Sequence, residues 1–121
     1  MTLDDVARAL DADLVCCEDH GSMEIERVCA SDMMSDVLAF STPGGLLLTG
    51  LTNAQSIMTA AVADVAAIVY VRAKRPKSAV VELAKAKGIP VLTCPLSMFE
   101  ACGRLYANGL VSGTELGGDD E

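Results

Sequence analysis

The sequence predicts one α/β domain, three layers deep, with a mainly parallel sheet and helices on both faces. Three observations lead there. A chain of 121 residues supports one core and is short for two ordinary domains. Three short runs, 46–49, 67–71 and 90–93, are almost wholly apolar, the first and third closing on Thr49 and Thr93, the pattern of central strands covered on both sides. Each run is followed by a helix start, and that alternation of strand and helix specifies parallel strands joined by right-handed crossovers.

The elements follow in order. Residues 2–10 predict a short helix: Thr2 with Asp5 resembles a capping box, and Leu3, Val6, Ala7 and Leu10 form an apolar face. The run 14–17 suits a strand, 19–22 a turn, and the alternation over 24–30 a second strand. Ser31 or Asp32 is placed to cap a helix over 33–40, and Thr42-Pro43-Gly44-Gly45 breaks the chain. The strand at 46–49 ends at Gly50. Asn53 then caps a helix carrying Ile57, Ala60, Ala61 and Val65 at helical spacing. After the strand at 67–71, Pro76 suits a helix first turn, with Lys85, Lys87 and Gly88 at its C-terminal end. A strand at 90–93 precedes a last helix, capped by Ser97 and closed near Asn108 and Gly109. The expected organisation is one domain over 1–112 and a flexible acidic tail over 113–121.

Charge and composition exclude several functions. The net charge of −8 opposes a nucleic-acid backbone as partner. Aromatic residues are few, Phe40, Tyr70, Phe99 and Tyr106, so base stacking is not expected either. The charge is uneven: residues 1–36 hold ten acids and two bases, whereas a basic run gathers at Arg72, Lys74, Arg75 and Lys77. Asp4 and Asp5 stand where a secretory signal would be basic, and the longest apolar stretch, 65–71, is far short of a membrane span. A cytoplasmic location without membrane contact is expected. The five cysteines, Cys16, Cys17, Cys29, Cys94 and Cys102, are odd in number and lack a C-x-x-C spacing, so they read as small buried hydrophobes.

Chemistry is expected at the carboxyl ends of the strands, where open α/β sheets bind ligands. Three loops leave those ends, at 49–53, 72–76 and 93–97, and each leads to a helix N-terminus that favours an anion. The candidate ligand-binding residues are Thr49, Gly50, Thr52, Asn53, Arg72, Lys74, Thr93 and Ser97. The hydroxyls among them also suit plain helix capping. Gly44-Gly45 precedes its strand and is no phosphate loop. No catalytic base is evident, because the one histidine, His20, sits in an early polar turn. Asp32 and Asp36, four apart, read as helix-start acids. No catalytic residue, metal ligand or cofactor is assigned.

Several segments carry a resemblance. Residues 30–38, Ala-Ser-Asp-Met-Met-Ser-Asp-Val-Leu, resemble a segment of small DRTGG-domain proteins. So do Leu46 to Asn53, Thr59-Ala60, the run from Val71 to Pro76, Ile89 to Thr93 and the helix from Met98 to Tyr106, together spanning roughly 25–110. The resemblance implies a fold like the N-terminal domain of HPr kinase/phosphorylase. It also implies a regulatory or interaction module, as in domains of this type within phosphotransacetylases or beside CBS domains. Stand-alone members accompany iron-only hydrogenase genes. The Asp-Arg pair that names the family is missing from Thr49-Gly50-Leu51-Thr52-Asn53, so nothing that pair does is carried over.

The expected function is a non-catalytic sensing or protein-interaction module with a small anionic or nucleotide ligand or a protein partner. It is expected to be a homodimer, paired through Met98, Phe99, Leu105 and Tyr106 of the last helix. Two alternatives stand beside it: an iron–sulfur or metal accessory protein using Cys94 and Cys102, and a small enzyme acting on a phosphorylated metabolite at Thr49, Lys74 and Thr93.

Overall fold

The computed structural model describes residues 1–114. Its elements run α1 (Leu3–Leu10), β1 (Asp13–Cys16), β2 (Arg27–Ala30), α2 (Met34–Phe40), β3 (Leu46–Thr49), α3 (Ala54–Val62), β4 (Ala67–Tyr70), α4 (Ser78–Lys87), β5 (Val91–Thr93), α5 (Met98–Ala107) and β6 (Val111–Ser112). A short 3-10 turn, Glu18–His20, follows β1. The strands form one six-stranded sheet in the order β1-β5-β4-β3-β2-β6. All pairings are parallel except β1 on β5.

Crossover handedness explains the layers. From β2 to β5 the chain steps across the sheet in one direction, so right-handed connections put α2, α3 and α4 on one face. There they bury Met34, Val37, Ile57, Ala60 and Ala84 against Leu47, Ile68, Tyr70 and Val91. From β5 the chain returns in the opposite direction to β6, and the same handedness sends α5 to the other face. It packs there with α1, where Leu3, Val6, Leu10, Ala101 and Leu105 meet Leu46, Leu48, Val69 and Leu92. The central strands β3 and β4 are buried at every position, as their unbroken apolar character requires.

Several boundaries differ from expectation. The second strand begins at Arg27, because Glu24 makes only an isolated bridge to Thr2. Helix α4 starts at Ser78, so Pro76 lies before the helix and Lys77 is its N-cap. Ala61 is exposed and Val65 lies beyond the end of α3. Neither Ser31 nor Asp32 caps α2; its N-cap is Met33, with no side-chain bond. The Ser31 hydroxyl instead accepts from the Met33 N–H at 3.0 Å, one turn too early for the helix. The chain also stays bound two residues past the expected domain end at 112. Val111 and Ser112 pair with β2, the Gly113 N–H donates to the Val28 carbonyl at 2.7 Å, and Thr114 bridges to Ser41. The rest of the expected tail, 115–121, lies outside the described residues. Among the described residues no helix is long and apolar enough to cross a membrane.

Candidate functional site

The carboxyl ends of β2, β3, β4 and β5 lie along one edge of the sheet, and the loops that leave them build the site. Helices change face between β4 and β5: α4 lies on one side and α5 on the other. That is the topological switch point where a crevice opens in folds of this kind. Here backbone hydrogen bonds close it. Arg72 and Ala73 both adopt left-handed conformations, with φ of 62° and 58°. Their N–H groups thereby turn toward the β5–α5 loop and donate to the carbonyls of Leu96 at 2.7 Å and Cys94 at 2.8 Å.

Next to that closed crevice, three loops converge on the carboxylate of Asp32. Its Oδ1 accepts from the Gly50 N–H at 2.6 Å and from the Thr49 hydroxyl at 3.0 Å. Its Oδ2 lies 3.5 Å from the Arg72 guanidinium. The Gly50 amide, more than any other group, holds the Asp32 carboxyl below the usual carboxylate range. Thr49 and Gly50 are buried, whereas Asp32 and Arg72 are 50 % and 42 % exposed. Gly50 leaves room for the Arg72 guanidinium in this position, since a Cβ there would push that side chain away from Asp32.

The remaining candidates are distributed around this cluster. The Asn53 carbonyl oxygen accepts from the Ser56 N–H at 3.1 Å, and the Ser97 hydroxyl accepts from the Glu100 N–H at 3.2 Å. Both side chains are occupied in capping α3 and α5. Thr52 is half-buried in the loop after β3. Lys74 is exposed and has no ion-pair partner among the described residues. Thr93 is buried and faces a separate hollow of about 180 Å³ with Asp13, Ala73 and Arg75, in which Arg75 reaches Asp13 at 3.1 Å. Thr49, Gly50 and Arg72 therefore come together, whereas Thr93 and Ser97 lie on the far side of the closed crevice.

Asp32 is the residue that sequence reasoning misassigned. Its signal was position: it lies two residues past the end of β2, on the edge where β3 and β4 also end. No group of three or more His, Cys, Asp or Glu side chains among the described residues could hold a metal ion. Cys94 is buried and Cys102 half-buried, and burial pushes both thiols up. Burial likewise raises the Cys16 thiol, to about 11. His20 lies past β1, which runs antiparallel to β5, and so sits toward the opposite edge of the sheet.

A second feature lies away from this edge. Two helices cover one face of a six-stranded sheet, and α5 leaves Val28 and Ala30 of β2 open beside it. The result is an apolar groove of about 550 Å³, lined by these residues with Phe99, Cys102, Tyr106 and Val111. Phe99 and Tyr106 are 89 % and 77 % exposed. Leu105 faces the core and Met98 is half-buried, so only part of the expected helix patch is free.

The comparisons with known proteins agree with this architecture. The family model for the DRTGG domain matches residues 5–107. Among solved structures, the chain is similar to the CBS and DRTGG domains of the regulatory region of Clostridium perfringens pyrophosphatase, complexed with the activator diadenosine tetraphosphate. The TM-score is 0.72 at 23% identity, a likeness of fold alone. The alignment covers 90% of this chain and 47% of that one, so the chain spans about half its length. No curated protein matches.

Proposed function

The chain belongs to the DRTGG domain family, and from that premise we propose that it is a non-catalytic regulatory module that senses a small anionic or nucleotide ligand. One observation carries the reading. A buried hydroxyl, a buried backbone N–H and a guanidinium, from Thr49, Gly50 and Arg72, converge on a single carboxylate position. Donors so arranged recognise an oxyanion. Lys74, exposed on the same loop as Arg72, adds positive charge at the mouth. The similar pyrophosphatase region is regulatory and was crystallised with a dinucleotide activator, which favours a phosphate-bearing ligand. The cytoplasm, and the anaerobic redox setting implied by the hydrogenase-linked members, are where ligand and protein partners are to be sought.

A thermal-shift screen against nucleotides, diadenosine polyphosphates and simple anions tests the proposal. A ligand at 100 times its dissociation constant adds about 2.7 kcal/mol of stability. The shift should vanish in Thr49→Val and shrink in Lys74→Ala. Absence of any shift across the panel would remove the sensing reading.

The open groove favours a second element of the proposal, a homodimer through α5. In an antiparallel pair through the groove face of α5, Phe99 of one copy would meet the partner's Tyr106, and Cys102 the partner's Gly103. Gly103 is exposed in mid-helix with nothing near the place of its Cβ, so a second helix can approach closely there. Sedimentation should show a dimer for the wild type and a monomer for Phe99→Glu. A wild type that stays monomeric at high concentration would rule the pairing out.

A further inference from the structure

We infer that Asp32 is a tethered occupant of the anion site, and that a phosphate-bearing ligand binds by exchanging with its carboxylate. The inference rests on the sensing reading and names the event that follows ligand entry.

Asp32 departs from what its position leads one to expect. An acid near a helix start ordinarily serves that helix, as Asp5, the third residue of α1, does in its capping box. Asp32 leaves α2 without a side-chain cap and spends its oxygens on residues 17, 18 and 40 positions away. A carboxylate on a buried hydroxyl, a buried amide and a guanidinium is the arrangement a bound phosphate would adopt.

The contact is also built to open. Half-exposed Asp32 can rotate its side chain away without breaking any hydrogen bond between two backbone groups; only its own contacts with Gly50, Thr49 and Arg72 are lost. Its neighbour Ser31 stays anchored through its own N–H to the Leu48 carbonyl at 3.0 Å. The Arg72 contact, at 3.5 Å, is long for a charged pair, so the guanidinium keeps capacity for a better acceptor. A phosphate group offers more oxygens and more charge than one carboxylate and can engage Lys74 as well. Because the Asp32 carboxyl is held ionised, it leaves as an anion by competition, without a proton to release it. Its departure unties the connection into α2 from the β3 and β4 loops while Ser31 stays anchored, and ligand binding is read out there.

A side chain that fills the site lowers the apparent affinity for an outside anion by the fraction of time the site is vacant. Asp32→Ala in the full chain should therefore bind inorganic phosphate about tenfold more tightly than the wild type. The Gly50 amide should be the most shifted resonance in a nitrogen–proton correlation spectrum, and adding Arg72→Ala should cancel the gain. In the wild type, ADP should shift the amides of residues 31–33 together with Gly50. ADP binding tighter than phosphate would mark a nucleotide as the source of the anion, and equal binding would mark free phosphate. Asp32→Asn keeps an acceptor for Gly50 without the charge, and it carries the same test if the alanine variant fails to fold. If the wild type responds to ADP but neither Asp32 variant binds phosphate more tightly, the exchange is refuted and the sensor stands. If Gly50 responds to neither probe in the wild type or in either Asp32 variant, both readings fall.

Discussion

Arg72 and Ala73 are held in consecutive left-handed conformations that cost a non-glycine residue roughly 1–2 kcal/mol each. The hydrogen bonds to Leu96 and Cys94 are what hold them there. Ala73→Gly should relieve part of that cost and raise stability by about 0.5–1 kcal/mol, read from the urea midpoint at unchanged slope. Asp32 sets a pH dependence whose sign is fixed. Its folded pKa is depressed, so its stabilisation is present above the ordinary value of 3.8 and is lost as pH falls through the lower folded value. Asp32→Asn should flatten the acid side of a stability-against-pH curve in that window and leave neutral stability less affected. Deeper in the core, the hydroxyls of Ser56 and Tyr70 bond at 2.7 Å. Ser56→Ala should cost about 1–2 kcal/mol, because it leaves the buried Tyr70 hydroxyl unpaired, whereas Tyr70→Phe should cost less, because the Ser56 hydroxyl still donates to the Asn53 carbonyl at 2.7 Å. The double variant should cost less than the two together. The sequence marked Thr49, Gly50 and Arg72 because strand ends and loop chemistry are local signals. It missed Asp32 because the partners of that carboxylate come from other loops.

Helix caps show the same division between local and distant information. Asn53 and Ser97 cap α3 and α5 as their sequence positions predict, and replacing either with alanine should cost about 1 kcal/mol. Helix α2 has no such cap, and its N-cap, Met33, is exposed with extended backbone. Met33→Asp should therefore add about 1 kcal/mol, measured by thermal or urea unfolding. The two polar residues that seemed to cap α2 precede the N-cap, where Ser31 closes its own turn and Asp32 leaves for the neighbouring loops. Strands β3, β4 and β5 were legible because complete burial forces an unbroken apolar run. Strand β6 was not, since Val111 and Ser112 make a two-residue strand exposed at the sheet margin, too short to show a pattern.

At the scale of the whole molecule, the alternating central elements and the crossover rule place α2 to α5 on their faces. They do not specify the margins, where β1 runs antiparallel and β6 returns beside β2. Both margins depend on pairings between distant parts of the chain: Asp13 faces Thr93, and Arg27 faces Val111. The groove beside α5 follows from the same layout, since two helices on that face leave β2 uncovered. The strand order also bears on vectorial synthesis. As the ribosome extrudes the chain, β2, β3 and β4 can pair in sequence, each new strand docking on the last. The first strand to emerge, β1, has no partner until β5 has cleared the exit tunnel. A nascent chain stalled before residue 91 therefore carries an open sheet edge and an unpaired apolar strand, the features that recruit chaperones or seed aggregation.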